Sequence, residues 1–590
     1  MNTEVHEDGS AGWLEVIDGE APILLIAPHG GIAVGKGDSL SIPKVNDLHT
    51  AVLTRELSSR LNASALINTA MDRNLIDCNR IGQLVASVPW LLGLLADRIE
   101  EIIATHGSVV VVSIHGWNLI EPRVDIGIGL RDRHGALTPA RGAMVSVSEQ
   151  FLNHTLLPLA ARLRSDGIAA TFGMRYPAAD ANNLIQALTP RNSNSEIPSL
   201  RRLAESADCG RIEAVQLELS IALRFPGARR ERILDTLGDA LVPRRNPARA
   251  ASPSVAMVAQ TVPLSPTSSV HVHPGRLGFE VHDPARQIGI LASFDVGGPT
   301  TSARVMIMMR GGAIAMYTNE GRLERMDDGL RIGALDLRSE AGAIHVGLRA
   351  AMLITPDSAS YCDIERALSR SALDEAVELE ATIKLAEPFD ISAALERIGR
   401  DGPAILAPVF GSASGRLVTG GAEHRLEAVG RIGAGLTSLD GAGFLWRRSI
   451  WAVFNDDGRT RGIELREQGT PDDRRTTRLF ADDAIQPCPV VHFVMTEATP
   501  TRPPAIIGAT FDDGDGRRIR LDGSVTEFVP LVRPGPNGAR IFTALGLVSF
   551  TIDDKPGAGA GMFEQSRLLP ENFRAGSKRD GSRDNTEPSE

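Results

Sequence analysis

The feature that most constrains this chain is a change of hydrophobic period on either side of the stretch PRRNPARAASPSVAMVAQTVPLSPTSS, residues 243–269. Before it, short apolar runs alternate with longer segments of helical spacing, the pattern of an α/β layered domain with a mostly parallel sheet. After it, short strand-like runs are separated by Gly, Asp and Asn turns, which predicts an all-β region closed as one or two barrels or sandwiches. The stretch itself is rich in Pro, Ser and Ala and carries neither period, so it reads as a linker. A chain of 590 residues is in any case too long for one core. The expected division is an α/β domain over 1–242, a linker over 243–269, a first β unit over 270–400, a second over 401–572, and a charged, turn-rich tail over 573–590 that is expected to be disordered.

Within the first domain, Ile23–Ala27 reads as a buried strand, Leu48–Leu61 as an amphipathic helix, Ala65–Thr69 as a short strand and Trp90–Thr105 as a second helix. Val109–Ile114 reads as a central strand because β-branched residues run without polar interruption. A helix over 147–165 and a last strand over Ala214–Leu219 follow. Beyond the linker, strands are expected at Leu277–Val281, Ile288–Phe294, Ala303–Met309 and Ala313–Tyr317. Helical interruptions near 374–384 and 390–399 are expected to separate the two β units.

Net charge is −11, and no block of Lys or Arg is long enough to track a phosphate backbone, so nucleic acid is excluded as the expected partner. The opening MNTEVHEDGSAGW is polar and acidic where a signal peptide needs a basic start and an apolar core. No later stretch reaches 18 unbroken apolar residues, the length that would cross a membrane. The expectation is a soluble, cytoplasmic protein. Cys78, Cys209, Cys362 and Cys488 form no CxxC pair and read as reduced thiols. A metal would therefore have to be held by His and carboxylate.

Two histidines follow strand-like runs directly, in Pro28-His29-Gly30-Gly31 and in His115-Gly116. Both imidazoles are thereby expected at carboxyl ends of strands, where open α/β sheets place ligands. One such His can simply cap its strand; two in the same context point to a metal. A hydrolytic zinc site needs three protein ligands and an open position, and two His with one carboxylate are a common set. Ile32 rules out a His-x-x-Glu arrangement after His29, so the carboxylate is Asp38 or Asp47. Asp47 is favoured because it opens the helix beginning at Leu48, although an Asp there also serves as an N-cap; His49 is a spare candidate. Residues 30–36 match the first seven positions of a phosphate-binding GxxxxGK loop, but Gly37 replaces the required Ser or Thr, so a nucleotide is not expected.

The run Arg73-Asn74-Leu75-Ile76-Asp77-Cys78-Asn79-Arg80 lies between these histidines. One arginine can pair bidentately with a substrate carboxylate, and one beside a metal can stabilise an oxyanion. Asn79 can add a neutral hydrogen bond. Alternatively, Arg80 pairs with Asp77 or Asp72 on the surface. Glu218 stands in the middle of the apolar run Val215–Leu219. Burial would raise its pKa toward the range a general base needs, unless it shares a solvent face with Gln216.

Taken together, these residues resemble the N-formylglutamate amidohydrolase family, whose fold is related to the zinc carboxypeptidases. PHGG at 28–31 is similar to the family's PHSG, RNLIDCNR to its R-x-x-x-D-x-N-R, SIHGW to its D-x-H-S segment, and VQLEL near the domain's end agrees in order and spacing. The resemblance covers about 240 residues. It implies a metal ion held by His29, Asp47 and His115, with Glu218 as base, Arg73 facing the oxyanion, and Asn79 and Arg80 binding a substrate carboxylate. Gly30 departs from the family's Ser. Ser113 replaces an acidic residue, which removes a possible partner for His115.

The β half resembles the lipocalin-like double barrels of the carotenoid hydratase and AttH-like group, through RLGFEVHDPARQIGILASF, GRIGAGLTSLDGAGFLWRRSIWAVFNDDG and GAGMFEQSR. Most polar residues of that group's R-D-x-S-x-G-x-R-x-W stretch are absent. His271, His273 and His282 read as strand residues rather than as a second metal site. The expected function is zinc-dependent hydrolysis of an amide bond in a small N-acyl amino acid or similar carboxylate, with the barrels as a binding module that can hold an apolar ligand. The competing reading is a catalytically altered protein that carries an apolar ligand in its barrels.

Overall fold

In the computed structural model, residues 12–31, 45–133, 135–241, 275–296, 301–321, 323–385, 389–394, 406–436, 446–456, 459–469, 475–481, 484–486, 490–499, 501–512, 517–534 and 540–569 are described. Asp38, most of the GxxxxGK segment, the linker 243–269, His271, His273 and the tail 573–590 lie outside them.

The α/β domain is built on nine strands: β1 (Leu14–Ile17), β2 (Ile23–Ala27), β3 (Ser64–Asn68), β4 (Val109–Trp117), β5 (Arg123–Gly127), β6 (Leu130–Arg133), β7 (Ala136–Pro139), β8 (Ala169–Phe172) and β9 (Ile212–Ser220). Seven form one mixed sheet in the order β1-β3-β2-β4-β9-β5-β8, while β6 and β7 make a separate hairpin. The central pairings β3/β2, β2/β4 and β4/β9 are parallel. The antiparallel pairings are β1 with β3 and β5 with β9.

The unbroken apolar runs follow from burial on both faces. Ile23, Leu25 and Ala27 face helices Thr50–Leu61, Leu157–Ser165 and Ala228–Leu241. Leu24 and Ile26 face helices Pro89–His106 and Pro198–Asp208. Alternate side chains of a strand point to opposite faces, so a strand covered by helices on both sides has no polar face to show.

Eight long strands of the β region close a barrel, in the order Ala313–Gly321, Thr301–Met309, Ile288–Val296, Gly275–Asp283, Ala422–Leu436, Leu406–Thr419, Ala372–Leu385 and Ala343–Thr355. Pairing of Ile314, Ala315 and Met316 with Thr355, Ile354 and Leu353 shuts the ring. Its interior is filled by side chains such as Phe279, Ile290, Phe294, Tyr317 and Leu379. Nine further strands between 446 and 569 form an open half-barrel, and Met308, Trp451, Leu547 and Met562 lie in an apolar cluster shared with the first barrel.

Three expectations are corrected. The supposed helical interruption at 374–384 is strand Ala372–Leu385. Its residue types favour helix, but Val377, Leu379, Ala381 and Ile383 alternate into the barrel core, and that period of two decides. Strands Leu406–Thr419 and Ala422–Leu436 pair within the first barrel, so the first barrel extends beyond residue 400. The first helix begins at Thr50, two residues later than expected, because His49 takes a left-handed conformation with φ of 67°. Among the described residues no helix is long and apolar enough to cross a membrane.

Candidate metal centre and active site

Strands β2, β4 and β9 run parallel, and their carboxyl ends bring His29, His115 and Glu218 to one edge of the sheet. His29 follows β2 by two residues, and His115 is the register partner of Glu218. Asp47 arrives from the segment before the first helix, where its backbone N–H donates to the carbonyl of His29 (2.9 Å). That helix has no side-chain cap, so the carboxylate of Asp47 is not used as the N-cap that its sequence position allowed. It turns instead toward the two histidines: Asp47 Oδ2 lies 3.2 Å from His29 Nδ1 and 3.5 Å from His115 Nδ1. All three residues are almost fully buried.

The other imidazole nitrogens are also engaged. His29 Nε2 is 2.7 Å from Asp77 Oδ1, and His115 Nε2 is 3.0 Å from Ser113 Oγ. With Nδ1 of each ring as the ligating atom, each Nε2 carries the proton and donates it, which fixes tautomer and ring orientation in the way metal-bound histidines use an outer partner. Burial, with His29 and Arg73 nearby, pushes His115 down to about 4 despite the opposing pull of Asp47, so its imidazole is neutral at pH 7. Burial works against the Asp47 carboxylate, yet His29, His115 and Arg73 outweigh it and hold its pKa well below the usual range. The donor set is therefore in the state a cation requires: one carboxylate and a neutral imidazole at hand.

The two separations from Asp47 suit an ion as well. In a tetrahedral zinc site with bonds of about 2.0–2.1 Å, neighbouring donor atoms stand roughly 3.3–3.4 Å apart; the two separations from Asp47 Oδ2 bracket that figure. A cavity of about 290 Å³ opens beside the cluster, lined by Arg73, Asn79, Arg80, Tyr176, Asn183 and Glu218 among others. Glu218 is 6% exposed, so it does not lie on a solvent face. It accepts a hydrogen bond from Gln216 Nε2 (2.8 Å), and Gln216 Oε1 accepts in turn from Asn183 Nδ2 (3.0 Å). Burial first, then the charges of Asp47 and Asp125, push its carboxyl up to about 8.

The arginines are placed differently from one another. Arg73 Nη1 donates to Asp47 Oδ1 (3.0 Å), while its buried Nε has no partner among the described residues. Arg80 keeps a 3.8 Å approach to Asp77, as the surface alternative held, but its close partner is Asp180 (2.7 Å). The buried Asn79 Oδ1 has no partner among the described residues. His49 stays outside the cluster, its ring packed 4.4 Å from that of Phe225, and burial with Arg224 and Arg230 pushes it down to about 4.

No family model and no curated protein matches the chain. Among solved structures it is similar to N-formylglutamate amidohydrolase from Ralstonia eutropha JMP134, with 13% identity and a TM-score of 0.27 over 39% of this chain and 96% of that one. It is also similar to an AttH-type protein from Nitrosomonas europaea, with 13% identity and a TM-score of 0.31 over 50% and 92% of the two chains. Kievitone hydratase from Nectria haematococca gives 10% identity and 0.29 over 52% and 94%.

Several residues of the site carried no clear sequence signal. Asp77 is the Asp of the R-x-x-x-D-x-N-R match, but its role in the sequence reading is pairing with Arg80, whereas it bonds His29. Ser113, expected to leave His115 without a partner, supplies one. Asp125, fully buried, accepts from Thr171 Oγ1 and from the backbone N–H groups of Met174, Arg175 and Tyr176 at 2.8–3.0 Å, and so shapes one wall of the cavity. Arg224, also buried, donates to the carbonyls of Leu219, Leu48 and Trp117, tying the ends of β4 and β9 to the Asp47 segment. Gly30 has no room for a side chain: a β-carbon there would lie 2.6 Å from the Asn68 carbonyl oxygen and 2.7 Å from Ala51 Cβ. The Ser of the resembled family is thereby excluded on steric grounds.

Proposed function

We propose that this chain is a metal-dependent hydrolase that cleaves the amide bond of an N-acyl amino acid or a similar small carboxylate. The observation that carries the reading is the buried His29–Asp47–His115 set, with Asp47 Oδ2 3.2 Å and 3.5 Å from the two imidazoles, beside a cavity that Glu218 also lines. A divalent ion bound there supplies Lewis acidity toward water and the acyl carbonyl. Glu218 is the base that takes the proton of the attacking water and returns it to the leaving nitrogen; a buried carboxyl with a raised pKa is suited to both transfers.

Arg73, bound to Asp47 and with its Nε unpartnered among the described residues, stabilises negative charge on the acyl oxygen. Arg80 and Asn79 hold the substrate carboxylate. Arg80's close partner, Asp180, is exposed, so exchanging it for a substrate carboxylate costs little, since exposed ion pairs contribute at most about 1 kcal/mol. The test is hydrolysis of N-formyl and N-acetyl amino acids beside their C-terminal amides. Activity lost on chelation, restored by zinc, and far weaker on the amides is expected. Equal rates with and without chelator would overturn the reading.

A further inference from the structure

Asp47 belongs to neither a strand nor a helix, so something outside the sheet must hold it in place. The residues on both sides of it answer to the β barrel. Val45 and Leu48 pack into an apolar cluster that joins Ile221 and Phe225 of the α/β domain to Leu353 and Leu368 of the barrel region. Asn46, between them and fully buried, donates from Nδ2 to Glu365 Oε1 and to Asp72 Oδ1 (both 3.2 Å), and its Oδ1 accepts from the backbone N–H of Arg73 (3.1 Å). Glu365 stands in the first turn of helix Ile364–Arg370, which Asp363 caps by accepting from the N–H groups of Glu365 and Arg366. Leu368, on the same helix, enters the shared apolar cluster. One helix therefore reaches the ligand segment twice, by an acceptor and by an apolar side chain.

We propose that the first barrel is part of the metal centre's support, with Glu365 a positioning residue that holds the Asp47 segment through Asn46. This rests on the reading of His29, Asp47 and His115 as metal ligands. A carboxylate ligand on irregular backbone is free to turn toward solvent when its flanks are released, and outer partners of metal ligands change affinity by roughly 10- to 100-fold when removed. The Asn46 amide is the link because both of its ends are used: one end meets the barrel and the other meets Arg73, which itself donates to Asp47. Release of Glu365 therefore acts on the ligand and on the arginine together.

The experiment is zinc affinity of the full-length protein by competition with a chromophoric chelator, for wild type, Glu365→Ala, Glu365→Gln and Leu368→Ala, beside the unfolding temperature of each metal-free protein. Gln keeps an oxygen that accepts from Asn46, so it separates the hydrogen bond from the charge. The expected result is about tenfold weaker zinc binding in Glu365→Ala, near wild-type binding in Glu365→Gln, and little change in the metal-free unfolding temperature of either. Leu368→Ala is expected to weaken zinc binding as well, with some loss of stability. Unchanged affinity in Glu365→Ala and Leu368→Ala would overturn the inference while leaving the metal site intact. No zinc binding by the wild type would overturn the metal reading and this inference with it.

Discussion

Replacing Glu218 by Gln separates the cost of the site from its use. In the folded, metal-free protein burial and the nearby Asp47 and Asp125 raise this carboxyl from about 4.5 to about 8. Between those values the folded chain keeps a proton that the unfolded chain releases, so the stability of the metal-free protein falls as pH rises through that window. At about 1.4 kcal/mol per pH unit, the penalty approaches the order of 5 kcal/mol near pH 8. Gln has nearly the same shape and no charge, so the variant loses this slope. Even half the penalty moves the unfolding temperature of a domain of about 240 residues by roughly 5–10 °C. Calorimetry of both metal-free proteins from pH 5 to pH 9 is the assay. The curves should meet near pH 5 and diverge upward, with Glu218→Gln the more stable at pH 8, while hydrolysis falls by about 10²–10⁴. Parallel curves, or a Gln variant that keeps its activity, would refute the assignment of Glu218 as a buried proton carrier.

Other consequences follow from single contacts. Asp77→Ala removes the carboxylate that orients His29 and should weaken metal binding about 10- to 100-fold, measured by chelator competition, with little loss of secondary structure by circular dichroism. Gly116→Ala places a β-carbon 2.7 Å from Arg224 Cζ and 2.9 Å from Asp47 Cβ; metal binding should be lost in a protein that still folds, and unaltered affinity would contradict the crowding. Asp125→Ala leaves three backbone N–H groups at 174–176 without their acceptor. It should lower stability by about 3 kcal/mol or more and expose the 173–178 segment to limited proteolysis.

The period of the apolar residues made most of the architecture legible, because helices on both faces of the sheet leave Ile23–Ala27 and Val109–Val112 no polar positions. The same rule, applied through residue type rather than spacing, misread 374–384, where Glu, Ala and Lys fill the outward positions of a barrel strand. At the site, the residues that follow or end strands were visible as chemistry at a strand terminus. Their supports were not. Ser113 and Asp125 look like ordinary strand residues, and Asp77, although it is the Asp of the RNLIDCNR match, reads as a partner for Arg80 rather than for His29. Glu365 meets Asn46 across 319 residues of sequence, a proximity created only when the barrel docks on the α/β domain. The glycine at position 30 is explained by close approach of Asn68 and Ala51, a reason that exists only in three dimensions.

The most direct test of the account is the metal content of the purified full-length protein beside a His29→Ala, His115→Ala double variant, by elemental analysis after dialysis against zinc. About one zinc per chain in the wild type and none retained by the variant is the predicted result. Equal metal in the two proteins, or none in the wild type after zinc is supplied, would contradict the claim that His29, Asp47 and His115 form a metal centre.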